Sequence, residues 1–118
     1  MQKPHEGVTD YQRYQIPVEK ARSTNYLLIH GVDDQTIDIS NATRLIARLN
    51  THDKANYEAH LYSGAGHIIE PPYSPACSKA FHPGYKRLNC YGGRTLEHSL
   101  AQADAWQKTL RFLDQHLA

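Results

Sequence analysis

The chain has 118 residues, 40% of them hydrophobic and 21% charged, with 13 Lys and Arg against 12 Asp and Glu. That length suits one domain, which buries roughly two thirds of its unfolded surface and so forms a core without disulfide or metal staples. A net charge of +1 gives no electrostatic footprint for nucleic acid or an anionic membrane. The longest apolar runs, such as Tyr26-Leu27-Leu28-Ile29, fall far short of the ~20 residues that cross a bilayer.

The first residues, Met1-Gln2-Lys3-Pro4-His5-Glu6-Gly7, are polar and lack the apolar core of a secretory signal. Cys77 and Cys90 are therefore expected to remain thiols in an intracellular compartment. The ending Gln115-His116-Leu117-Ala118 is not of the S-K-L type, and the sequence leaves cytoplasm, peroxisome and mitochondrion open.

Residues 1 to 22 carry no sustained period of 2 or 3.6 and read as an irregular lead-in, in which Tyr11, Tyr14, Ile16 and Val18 have the character to pack. Tyr26-Leu27-Leu28-Ile29-His30-Gly31 is a short apolar run closed by glycine, the pattern of a strand buried on both faces of a parallel sheet. Ser40-Asn41 can cap a helix that places Ala42, Leu45, Ile46 and Leu49 on one face and ends at Asn50-Thr51-His52-Asp53. Tyr57 to Tyr62 reads as a second strand, followed at once by the turn Ser63-Gly64-Ala65-Gly66. Strand, helix, strand is a βαβ unit with parallel strands.

Residues 67 to 94 contain Pro71-Pro72, Pro75, Pro83 and Gly92-Gly93, and are expected to form a long excursion without regular structure. From about Thr95 to Leu117 a long amphipathic helix puts Leu96, Leu100, Ala103, Trp106, Leu110, Leu113 and Leu117 on one stripe. Two parallel strands need further strands beside them and cover on both faces. Residues 1 to 22 cannot supply those strands, so the pattern is that of the C-terminal portion of a larger α/β sheet, carried by residues 23–118.

Chemistry is expected where strands end. Asp33 and Asp34 follow the first strand, and His67 follows the second on a glycine-rich turn, the place where open α/β sheets put their active sites. An acid followed along the chain by a histidine is the order that closes an α/β-hydrolase triad. Each residue has an ordinary reading as well: an aspartate after a strand is often a cap or turn residue, and a histidine after glycine is often part of the turn. His5, His30, His52, His60 and His116 lie in ordinary contexts. Neither H-E-x-x-H nor Cys-x-x-Cys occurs, and P-loop and dinucleotide fingerprints are absent, so no metal or cofactor is expected. Ser23, Ser40, Ser63, Ser74, Ser78 and Ser99 all lie outside G-x-S-x-G, and neither cysteine sits in the equivalent elbow. The chain shows no credible nucleophile, and the oxyanion hole that accompanies one is missing with it.

Gly31-Val32-Asp33-Asp34-Gln35, the stretch from Gly66-His67-Ile68-Ile69-Glu70-Pro71-Pro72 to Cys77, and Gly92-Gly93 followed by His98, Ala101-Gln102 and Asp104-Ala105-Trp106 resemble one known group of sequences. They are similar to the C-terminal domain of the acyl-CoA thioesterase and bile acid-CoA:amino acid N-acyltransferase family, from about Ile16 to Leu117. The resemblance implies an α/β-hydrolase fold and a Ser or Cys, His, Asp triad acting on an acyl-CoA thioester. It implies Asp34 as the triad acid, with Asp33 as its rival, and His67 as the base. It further implies that Glu70, Pro71 and Pro72 shape the loop around His67 and that Trp106 packs the last helix on the sheet. Coenzyme A enters only as part of the substrate. The expected partner is the absent nucleophile half, or another chain that supplies it. The alternatives are a non-catalytic remnant that serves as an interaction module, and an unrelated small α/β binding module.

Overall fold

The computed structural model describes residues 15–52 and 56–117. Expectations resting on Tyr11, Tyr14 and Asp53 lie outside the described residues. Strand β1 runs from Tyr26–Gly31 and strand β2 from Tyr57–Tyr62, with helix α1 (Ser40–Thr51) between them. The strands pair in parallel, Tyr26 opposite Tyr57 and Gly31 opposite Tyr62, so both carboxyl ends finish at the same edge. That common edge positions the site.

The strand residues from Tyr26 to His30 are half-buried, where the sequence pattern suggested burial on both faces. The reason is geometric: β1 and β2 form a sheet of two strands among the described residues, and two strands cannot enclose one another. Helix α1 buries Ala42 and Leu49, two of the positions expected on its inner face. Its start is held by Asp38 rather than by Ser40 or Asn41, since Asp38 Oδ1 accepts the Ser40 N–H at 2.8 Å. The described part of the lead-in contains a 3-10 turn, Val18–Lys20, which Arg48 grips by donating to Glu19 Oε2 and to the Ile16 carbonyl. Arg48 thus fastens the entering chain to α1.

Residues 67–94 are not without regular structure. Strands β3 (Lys79–His82) and β4 (Arg87–Cys90) form an antiparallel hairpin, with Lys79 opposite Cys90 and His82 opposite Arg87. Pro83 and Gly84 turn the chain, and Lys86 N–H closes the turn on the Pro83 carbonyl. The excursion therefore leaves the sheet edge and returns to it: Tyr91 and Gly92 both donate to the Ser78 carbonyl at the hairpin's base.

Helix α2 (Thr95–Leu117) has the expected bounds but buries a different face from the expected one. Its buried residues are His98, Ala101, Gln102 and Ala105, one face at i, i+3, i+4 and i+7. The leucine stripe lies elsewhere on the cylinder, and Leu96, Leu100, Leu110, Leu113 and Leu117 are exposed. Two alanines let the helix approach closely, while His98 and Gln102 meet polar backbone that leucine could not satisfy. A second tie joins α2 to the sheet, for the Tyr62 hydroxyl donates to Asp104 Oδ2 at 2.7 Å, with Lys108 on the same carboxylate. Burial and the Asp104 hydrogen bond raise the Tyr62 pKa well above its ordinary value, so the phenol stays a donor.

Candidate active site

Three turns meet past the ends of β1 and β2. The Asp33 N–H donates to the Ala65 carbonyl, and the Tyr91 carbonyl accepts from both Gln35 N–H and His67 N–H. One carbonyl thus anchors the loop after β1 and the loop after β2 together. The approach is too close for side chains: a Cβ on Gly66 would lie 2.3 Å from the Gly92 carbonyl oxygen. Gly92 itself has φ of 78°, a left-handed conformation that glycine adopts without strain.

This packing brings Asp34 and His67 into contact. His67 Nδ1 lies 2.9 Å from Asp34 Oδ2, and the Asp34 side chain is only 3% exposed. Asp34 Oδ1 accepts the N–H groups of Thr36 and Ile37, each at 2.8 Å. Burial pushes the Asp34 carboxyl up, but the His67 hydrogen bond and the Ile37 and Thr36 N–H groups outweigh it and hold the pKa below its ordinary value. The carboxylate is therefore ionised at neutral pH. With Nδ1 donating to it, His67 presents Nε2 as its basic atom, and the Tyr91 ring stacks beside the imidazole at 6.1 Å.

Asp33 points away from this pair. Its Oδ2 accepts the Gly93 N–H at 2.9 Å and its Oδ1 the Gln35 amide, so it ties the β1 loop to the loop before α2. His30, an ordinary strand residue by sequence, stands at the site instead: its Nε2 is 3.0 Å from the Ile37 carbonyl and 3.3 Å from Asp34 Oδ2. A histidine four residues before an aspartate across a strand end is a weak signal, and only the tight turn after Gly31 brings the two together.

Asp34 and His67 line a cleft of about 450 Å³ with Ile29, Ile37, Pro71 and Trp106. Trp106 is 36% exposed and faces this cleft, rather than serving as buried packing between α2 and the sheet. No serine or cysteine is among the lining residues, and Thr109 at its rim spends its hydroxyl on the Ala105 carbonyl. Cys77 and Cys90 are both free, Cys77 half-buried and Cys90 exposed. Among the described residues no cluster of His, Cys, Asp or Glu has the geometry to hold a metal ion, and no helix is long and apolar enough to cross a membrane.

The structure thus holds a carboxylate and an imidazole in contact past the ends of two adjacent parallel strands. The comparison with known proteins is specific. The model of the family described as BAAT / acyl-CoA thioester hydrolase C terminal matches residues 1–118, and the chain belongs to that family. Among its relatives, the bile acid-CoA:amino acid N-acyltransferase of Homo sapiens is 41% identical over 107 residues, covering 89% of this chain and 25% of that protein. Acyl-coenzyme A amino acid N-acyltransferase 1 of Mus musculus is 39% identical over 103 residues, covering 86% of this chain and 24% of the relative. The peroxisomal succinyl-coenzyme A thioesterase of Mus musculus is 38% identical over 103 residues, with the same two coverages. The chain spans about a quarter of the length of these curated relatives.

Proposed function

We propose that this chain supplies the acid and base of a Ser or Cys, His, Asp triad that cleaves an acyl-CoA thioester, and that β1 and β2 are the C-terminal end of an α/β-hydrolase sheet. The observation that carries the reading is the 2.9 Å contact between His67 Nδ1 and the buried Asp34 carboxylate. Asp34 holds the imidazole in one tautomer and stabilises its protonated form, while Nε2 takes the proton of an attacking hydroxyl or thiol. The same nitrogen gives that proton to the departing coenzyme A thiolate, then takes a second proton from the water or amine that attacks the acyl-enzyme and delivers it to the regenerated nucleophile.

The nucleophile comes from a region outside this chain, in keeping with relatives about four times as long. The substrate is a fatty acyl or bile acyl thioester of coenzyme A within an intracellular compartment, and coenzyme A is part of the substrate rather than a resident cofactor. The test is to supply the nucleophile-bearing region in trans and follow free thiol release. Turnover by the mixture and not by either part supports the reading; no turnover from a complex that has demonstrably formed refutes it.

A second reading is favoured by the cleft lining, which offers no serine or cysteine. In it the chain is a non-catalytic interaction module whose exposed α2 leucines meet another protein. Formation of a stable complex that binds acyl-CoA without cleaving it would select this reading over the first.

A further inference from the structure

His98 takes no part in the reading above, yet it is the most enclosed ionisable residue among the described residues, 2% exposed on the inner face of α2. Its ring meets backbone on both sides of His67. Nδ1 stands 3.0 Å from the Gly66 nitrogen, and Nε2 stands against the Ile68 carbonyl oxygen. A backbone N–H can only donate and a carbonyl can only accept, so the ring is neutral, with its single proton on Nε2. The residue before His67 and the residue after it are thereby held by one rigid imidazole.

We infer that His98 is a positioning residue for His67, acting as a latch that spans the Gly66 N–H and the Ile68 carbonyl and so aims the His67 ring at Asp34. The inference rests on the reading of His67 as the base, which it deepens. The Tyr91 carbonyl, which accepts the His67 N–H, holds the same turn from the residue between the two His98 contacts. Space beside the latch is tight, since a Cβ on Gly93 would stand 3.0 Å from His98 Nδ1. Gln102, one turn further along α2, continues the pattern by donating to the carbonyls of Pro71 and Ser74. The inner face of α2 thus holds backbone from residue 66 to residue 74, and within it the His98 contacts are those that flank the base.

The experiment is nitrogen-detected NMR of the imidazoles in the 118-residue chain, which needs neither a nucleophile nor acyl-CoA. In the wild type, His98 is expected to show a pyridine-like Nδ1 and a protonated Nε2. His67 is expected to show a slowly exchanging Nδ1–H at low field, bonded to Asp34. His98→Phe, with an unchanged far-ultraviolet spectrum, should lose both the protection of the Gly66 amide and the low-field His67 proton. His98→Asn, whose side-chain oxygen replaces Nδ1 as acceptor, should restore the Gly66 protection and recover part of the His67 signal.

A wild-type His98 that carries its proton on Nδ1, or on both nitrogens, overturns the inference. So does a folded His98→Phe chain that keeps the His67 proton at its wild-type position and exchange rate. If His98→Phe does not fold, the wild-type tautomer and His98→Asn decide by the same criteria. A latch that behaves as stated in a chain that never yields thioester turnover would leave the inference standing and remove the proposed reaction instead.

Discussion

His67 and Asp34 are separated by 33 positions along the chain, and their side chains meet at 2.9 Å because each follows one strand of a parallel pair that ends in register. The contact is a product of topology before it is a product of either turn. Parallel strands with aligned carboxyl ends bring their following loops together, and the Tyr91 carbonyl, which accepts from both loops, fixes their separation.

The buried carboxylate makes stability depend on acid. Asp34 has a folded pKa held below the ordinary value, so ionisation favours the folded state. That contribution is complete above the unfolded value of about 3.9 and is lost as the pH falls through the lower folded value. The urea midpoint of the wild type should therefore fall more steeply with acid than that of Asp34→Asn. Glu19, Asp38 and Asp104 also have lowered pKa values, but they act equally in both chains and cancel in the comparison. Parallel profiles would contradict the assignment.

The junction of the three turns has no room for a methyl group. Gly66→Ala should destabilise the chain by on the order of 3 kcal/mol, because the new Cβ meets backbone oxygen that cannot swing aside. Chemical denaturation measures the loss. Gly84→Ala is the control, since its neighbour is the movable ring of His82, and it should cost under about 1 kcal/mol.

Tyr62→Phe removes one hydrogen bond between β2 and α2 and leaves the Lys108 to Asp104 pair in place. A loss of about 1 kcal/mol is expected, less than the cost of stranding a buried group, because Asp104 is open to water. A Tyr62→Phe chain as stable as the wild type would show that this tie does not hold the helix.

The outer stripe of α2 should make the isolated chain associate. Leu110 and Leu113 lie on a run of exposed leucines that a lone helix face leaves in water. Sedimentation of the wild type should show concentration-dependent association that Leu110→Lys with Leu113→Lys reduces. A wild type that remains monomeric at all concentrations contradicts this.

Much of this architecture was legible in the sequence because it is local. The apolar run before Gly31 and the period of α1 each report on a few neighbouring residues, and Asp34 and His67 are each marked by the strand just before them. The hairpin was harder: its strands have four residues each and are mostly exposed, so they carry little apolar alternation, and Pro83-Gly84 marks a turn without naming what it joins. The inner face of α2 escapes the periodic pattern for a different reason. Helical periodicity ranks residues by hydropathy, while His98 and Gln102 are buried to satisfy backbone of residues about 30 positions earlier. Partners at that separation leave no trace in a periodic pattern. The place of Trp106 is likewise hidden, since a cleft-lining aromatic and a core aromatic look alike along the chain.

Joining this chain to the nucleophile-bearing region of the family, and comparing thiol release from acyl-CoA by the wild type and by His67→Ala, tests the proposed triad. His67→Ala is expected to lose several orders of magnitude in kcat while retaining binding of acyl-CoA. Equal turnover by the two would contradict the triad.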